Sequence, residues 1–453
     1  MAHEHVEYDL NEKYVFPAEL RKKLVMGIGI GLVLFIIGAV IFSMKDFNAH
    51  HEAAGVAHEG AKHAEKAAEG HHGFNWISRV WANLWVNSLL FTGIAVAGVF
   101  FIAVQYMAKA GWSSLILRIP MAFGKFLPIT GLVMLVVFLA SYFSHTSLFH
   151  WTHADLYIKG ADTYDSIIDG KAGMFFWPLD KGTFPLFWLI RFFAYFAGWY
   201  LLYEKLRANS LAEDTVTDRL AAVNYDKNTV VAATFLVFFG VTSSTSAWDW
   251  VMSIDTHWFS TMFGWYMLAS WLVTGFSVIT LTIILLKEQG YLKMVNENHL
   301  HDLGKFMFGL SIFWTYVWFS QFLLIYYANI SEETIYFKER LEGFDGVYAP
   351  MLPMNLVINF LFPLLFLMTR DAKRKEIFLK VAAFGIIIGH YLDFFVMVMP
   401  GTVGEHGGFG LMEIGSIMMF ACGFVYVVAN TLAKAPLIPK NHPMIEESLA
   451  HNI

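Results

Sequence analysis

Ile377-Phe-Leu-Lys-Val-Ala-Ala-Phe-Gly-Ile-Ile-Ile-Gly-His390-Tyr-Leu-Asp393-Phe-Phe-Val-Met-Val-Met399 decides the fold class. The run is apolar on every side and long enough for a bilayer core, which takes about 20 such residues per helix. A barrel strand would alternate polar with apolar and end after about ten residues. Nine more runs of this kind lie around it: Leu24–Met44, Asn83–Tyr106, Met121–Phe143, Thr183–Leu202, Thr229–Trp248, Phe259–Leu286, Lys305–Ala328, Met351–Met368 and Met412–Leu432. Composition agrees. Of 453 residues 57% are hydrophobic and only 15% charged, against about 25% charged in a soluble domain. No soluble core buries that much apolar surface. The expected fold is an all-α integral membrane protein with ten transmembrane helices.

The net charge of −6 is small and the basic residues sit in short loops, so nucleic acid is excluded as a partner. The single cysteine, Cys422, lies inside an apolar run. It excludes a disulfide framework, a cysteine-based zinc site and a protein-held iron–sulfur cluster. No Walker A motif is present.

Lysine and arginine predict the orientation. Of 31, the N-terminus, the even-numbered loops and the C-terminus hold 21 when Lys125, Lys305 and Lys380 at the near ends of their runs are counted with them, the odd-numbered loops hold 9, and Arg191 lies inside a run. Both termini are therefore expected in the cytoplasm, in a multi-pass protein of a bacterial inner membrane. This divides the chain into a cytoplasmic segment 1–23, a membrane domain 24–432 and a cytoplasmic tail 433–453. The first run follows a charged segment and is expected to remain as an uncleaved span. The outer loops are 45–82, 144–182, 249–258, 329–350 and 400–411. The first of them is rich in histidine between His50 and His72. Those histidines repeat no ligand spacing, so a solvated excursion is preferred over a metal site.

Ionisable groups inside a span cost roughly 2.5–3.5 kcal/mol each on insertion scales and mark functional candidates. Arg191 lies deep in the fourth run and calls for a carboxylate partner, with Asp393 or Glu413 expected. His390 and Asp393 are three residues apart, on one helical face, as a proton-relay pair would be. Thr242, Ser243, Ser244, Thr245 and Ser246 lead to Asp249 and form a candidate hydrogen-bonded wire. The competing reading is that these hydroxyls bond back to their own helix. Further candidates on the outer half are His145, Asp255, His257, Gln321 and Glu413. Trp248, Trp250, Trp258 and Trp265 read as an interfacial belt. The inner half holds hydroxyls (Ser270, Thr274, Thr280) and Asn359 but few ionisable groups, so the polar interior is expected to open outward. Asp249, the hydroxyls, His390 and Asp393 are expected in one hydrated cavity. Only His390 lies deep in a span, so a haem held between two buried histidines is excluded and the chain is expected to carry no cofactor.

The stretch Ser246-Ala-Trp-Asp249-Trp-Val-Met-Ser-Ile-Asp255-Thr-His257-Trp-Phe-Ser-Thr-Met-Phe-Gly264-Trp-Tyr, with Phe308-Gly-Leu-Ser-Ile-Phe-Trp314-Thr-Tyr-Val-Trp318-Phe-Ser-Gln321 and its continuation through Tyr326, Asn329 and Glu332, resembles ActF-type, NrfD-like membrane subunits of alternative complex III. The resemblance covers nearly the whole chain. It implies two four-helix bundles plus two extra helices, within a quinol:cytochrome c (or cupredoxin) oxidoreductase. It also implies partners: the sister NrfD-like subunit ActC, an iron–sulfur subunit, haem c subunits, surrounding lipid and, as a further candidate, a terminal oxidase. Haem c and iron–sulfur clusters would then sit in those partners. The implied role is proton conduction and support. Direct quinone binding, with His145, Asp249, Asp255, His257 and Gln321 as candidates, is the second reading. A stand-alone proton-coupled transporter is the third; it would need inverted repeats and broken helices.

Overall fold

The computed structural model describes residues 10–57, 76–144, 146, 148–216 and 222–452. His145 and the greater part of the histidine-rich loop, 58–72, lie outside the described residues. The chain is an all-α integral membrane protein. Ten helical elements carry the fold: α1 Ala18–Ala57, α2 Trp76–Met107, α3 Arg118–Phe143, α4 Leu186–Glu213, α5 Val223–Trp250, α6 Met262–Glu288, α7 Glu297–Ala328, α8 Met351–Phe366, α9 Glu376–Val403 and α10 Leu411–Leu432. The helix assignment follows from the backbone. Without water in the bilayer, every N–H and C=O must be satisfied within its own segment.

Among the described residues nine helices are long and apolar enough to cross a membrane, and α8 is a shorter apolar helix. α8 is also broken. The turn Val357–Leu361 is π-helical, set between the α-helical pieces Met351–Leu356 and Phe362–Phe366. Pro353 and Pro363 flank it and lack the N–H a regular ladder would use. Single π turns of this kind recur at functional sites.

α2–α5 pack as one four-helix bundle and α6–α9 as a second. α2 is the central helix of the molecule: its apolar window is 94% buried, against 22% for α1. It packs on α3 and α5 in its own bundle and on α6 and α9 in the other. Close approach at that seam depends on Gly93, where a Cβ would lie 1.8 Å from Trp271 Cδ1. α1 and α10 pack mainly on each other, outside both bundles. Helix association in lipid rests on packing and interhelical hydrogen bonds, because lipid tails are as apolar as leucine. Tryptophans supply several such bonds. Trp85 donates to the Trp250 carbonyl (2.8 Å), Trp188 to the Asp249 carbonyl (3.0 Å) and Trp271 to the Leu89 carbonyl (3.1 Å). The first two satisfy carbonyls left over at the end of α5.

The termini share one face. Lys13 and Pro436 form a β-bridge, and the Leu437 N–H donates to the Glu12 carbonyl at 2.9 Å. The tail packs against helix ends there: His299 Nε2 meets Ser448 Oγ at 3.0 Å, and His451 pairs with Asp302 at 2.9 Å. This side is the terminal face; the opposite side, with the long connections, is the loop face.

Candidate functional site

The second bundle closes around Asp393, which like His390 is 0% exposed. α9 brings both to the bundle axis, with His390 Nδ1 3.4 Å from Asp393 Oδ2. α6 contributes Tyr266, whose hydroxyl donates to Oδ1, and Ser270, whose hydroxyl donates to Oδ2 at 2.7 Å. These two are four residues apart, hence on one helical face. α7 contributes Trp314, whose indole N–H lies 3.0 Å from Oδ2. From α8 comes Asn355, donating to Oδ1 at 2.7 Å. One turn on, in the π segment, Asn359 Nδ2 donates to the side-chain oxygen Asn355 Oδ1. Each of the four helices of this bundle thus places a side chain in the hydrogen-bonded network at Asp393. No arginine or lysine is among these partners. Gly389 makes room beside it, since a Cβ there would stand 2.1 Å from Asn359 Oδ1. Two buried atoms here have no partner: Asn359 Oδ1 and His390 Nε2.

Toward the loop face the network meets a cavity of about 10 Å³, the room of a single water. Tyr266, Gln321, Tyr336, Arg340 and Asn355 line it. Gln321 Oε1 is buried without a partner. At the far side Arg340, 1% exposed, is stacked on the Tyr336 ring at 3.4 Å and pairs with Asp255 at 2.8 Å. Arg340 and Tyr336 come from the short helix Ser331–Leu341, and Asp255 from the loop after α5. Beside them burial raises the Glu339 carboxyl above its ordinary range, and the nearby Asp255 charge adds to this. The polar file thus runs from Asp255 through the cavity to Asp393, His390 and Asn359.

Asp249 belongs to a different environment. Arg191 grips it bidentately, Nε to Oδ2 at 2.7 Å and Nη2 to Oδ1 at 2.6 Å, and Tyr195 donates to Oδ2 at 3.0 Å. Arg191 and Tyr195 are one turn apart on α4. The expectation that Arg191 pairs with Asp393 or Glu413 is corrected: α4 lies against α5, and the carboxylate it meets among the described residues is Asp249. Glu413 has its own cation, Arg79 of α2, with Nη2 at 2.7 Å. Arg79 also donates to the carbonyls of His406 (2.5 Å) and Gly408 (2.6 Å), fixing the glycine-rich loop.

The single cavity expected for Asp249, the hydroxyls, His390 and Asp393 is likewise corrected. The first two lie in the α2–α5 bundle and the last two in the α6–α9 bundle. The hydroxyls do not form a wire with one another. Ser243 donates to the Gly240 carbonyl, Ser246 to Ser243, Thr245 to Val241 and Thr242 to Phe238. Ser244, 2.9 Å from where a Cβ on Gly264 would stand, faces α6. His257 pairs with Asp165 of the 144–182 loop at 2.5 Å. Burial would raise the Asp165 carboxyl, but the Ile168 N–H and His257 outweigh it and hold it below the usual range.

The tryptophan belt is corrected in part. Trp250 is 0% and Trp258 3% exposed, whereas Trp265 is 52% exposed. Trp250 packs on Phe196 and Trp199 in the bundle core. Sequence reasoning passed over Tyr266, Trp314, Asn355, Arg79 and Arg340. It read Ser270 and Asn359 as inner-half residues, but both join the Asp393 network. The 266/270 and 355/359 spacings were the available signal, since four residues bring each pair onto one face.

The fold defines a class, the polytopic all-α membrane protein with two four-helix bundles and an outlying helix pair. No protein-family model matches the chain, and no curated protein matches it.

Proposed function

We propose that the chain is an ActF-type, NrfD-like subunit of a quinol-oxidising membrane complex that conducts protons and braces its partners. Electron carriers, haem c and iron–sulfur clusters, then sit in the partner subunits, and the terminal face is cytoplasmic. One observation carries the reading. Asp249, Asp255 and Glu413 each face an arginine, while Asp393 is held only by neutral donors and the His390 ring. A carboxylate locked to arginine stays charged. One among neutral donors can take up and give back a proton without stranding an opposite charge. The file from Asp255 to His390 gives that proton a polar approach from the loop face. A cavity of about 10 Å³ suits water and not a quinone ring, which favours conduction over direct quinone binding at this place.

The test is Asp393→Asn, which keeps shape and hydrogen bonding but removes the titratable group. The variant should assemble normally and lose proton movement in sealed vesicles, by about a hundredfold. Unchanged proton movement would refute the reading. Haem c and iron–sulfur proteins that co-purify in mild detergent would separate it from a stand-alone transporter.

A further inference from the structure

A second cluster of buried polar groups lies at the terminal-face end of the first bundle, away from Asp393. Tyr106 ends α2, Arg118 opens α3, Glu213 ends α4, Asn228 lies one turn into α5, and His442 comes from the tail. The rings hold the cluster together: Tyr106 and Tyr225 at 5.2 Å, Tyr225 and His442 at 5.3 Å. Glu213, Asn228 and Arg118 are the neighbours of the Tyr106 hydroxyl.

These groups are buried and lack partners. Glu213 is 4% exposed and Asn228 0%. Neither oxygen of Glu213 is hydrogen-bonded, nor is either amide atom of Asn228. Arg118 Nε and His442 Nε2 are unpartnered as well, while the Tyr106 hydroxyl lies beside Asn228 and Ser210. Such a concentration of orphan groups in a folded interior calls for a ligand.

Charge bookkeeping narrows what it is. Arg118 is committed elsewhere: to Asp214 at 2.7 Å and to the carbonyls of Ser210 and Pro436, each at 3.0 Å. Its charge is neutralised by Asp214, so Glu213 has no cation of its own. His442 Nδ1 accepts the Met444 N–H at 3.3 Å. A neutral ring then carries its proton on Nε2, as a donor. The free inventory therefore mixes donors (Asn228 Nδ2, Arg118 Nε, His442 Nε2) with acceptors (Glu213 Oε1 and Oε2, Asn228 Oδ1). A bare metal cation would need oxygens alone, and the N–H groups would oppose it. Water serves both kinds.

We propose that this cluster is a hydrated proton-exchange site. Glu213 carries a proton in the resting bundle and exchanges it, through water, with the terminal-face solution past His442. The step balances as a transfer: the Glu213 O–H bond breaks, water takes the proton, and the carboxylate is reprotonated from the same solution. The tail segment bearing His442 is the lid of the site. This rests on the reading that the chain conducts protons, and supplies an exchange point on the face opposite Asp255.

The experiment is infrared difference spectroscopy on the protein purified from native membranes with its co-purifying partners, before and after transfer to D2O. A protonated-carboxyl C=O band should shift in D2O, vanish in Glu213→Gln, and exchange about tenfold more slowly when His442→Trp fills the entry. If Glu213→Gln fails to assemble, Asn228→Ala must shift the same band, since it removes the neighbouring amide and keeps the carboxyl. No such band in the wild type, or a band indifferent to both variants, would overturn the proposal. Lost proton movement in Asp393→Asn together with normal movement in Glu213→Gln would sink this inference and leave the Asp393 reading intact. Normal movement in Asp393→Asn with the Glu213 band present would sink that reading alone.

Discussion

The two bundles each bury an aspartate, and they treat it in opposite ways. In the first, Asp249 is clamped bidentately by Arg191. In the second, Asp393 sits among a tyrosine, a serine, an indole, an amide and an imidazole. The first arrangement joins α4 to α5 through an ion pair. The second joins α6, α7, α8 and α9 through neutral donors and an imidazole. On the proposed function, burial alone does not mark the working carboxylate; having no arginine or lysine partner among the described residues does.

Breaking the clamp should have the largest effect on stability. Arg191→Leu strands Asp249 without its cation, and removing one partner of a buried pair costs about 3 kcal/mol. The variant should accumulate poorly in membranes, and the double change Arg191→Leu with Asp249→Asn should restore much of the yield. Equal yields of wild type and single variant, judged by quantitative immunoblot, would show that the clamp contributes nothing.

A smaller effect is expected at the tail. His442 is 2% exposed. Burial, and secondarily the Arg118 charge, lower its pKa from 6.5 to about 4. The ring faces Tyr106, Tyr225 and Arg118, with Glu213 beyond, and folds in its neutral form. The unfolded chain binds a proton below pH 6.5 while the docked ring does not. Docking is therefore full above pH 6.5 and weakens as pH falls toward 4. Proteolysis of the tail should accelerate across that window, and His442→Phe should flatten the profile. A wild-type profile already flat would contradict the docked geometry.

The smallest effect belongs to the hydroxyls of α5. Ser243→Ala and Thr245→Val remove bonds that only return to the same helix, so proton movement should stay within about 0.5 kcal/mol of wild type. A loss as deep as that of Asp393→Asn would revive the wire.

Much of the fold was legible. Ten apolar runs, an even number, place both ends of the chain on one face, and the Lys13–Pro436 bridge bears this out. The limits were less so: the first run, expected to end at Met44, continues as helix to Ala57, because polar residues extend a helix beyond the membrane without changing its backbone. His390 and Asp393 were legible as a pair because three residues along one helix fix their geometry. Partners across helices were not. Arg191 and Asp249 are 58 residues apart and Arg79 and Glu413 334, and nothing local encodes which helix faces meet. Glu213 was hidden differently. It stands in a run of charged residues that reads as a solvated loop, and only the docking of the tail makes it interior.

The most direct measurement sets Asp393→Asn beside Asp249→Asn in sealed vesicles, with proton movement expressed per assembled molecule. The Asp393 variant should assemble fully and move protons about a hundredfold more slowly. The Asp249 variant should assemble poorly, with the surviving molecules moving protons at the wild-type rate. Normal proton movement in the first and its loss in the second would reverse the roles of the two bundles.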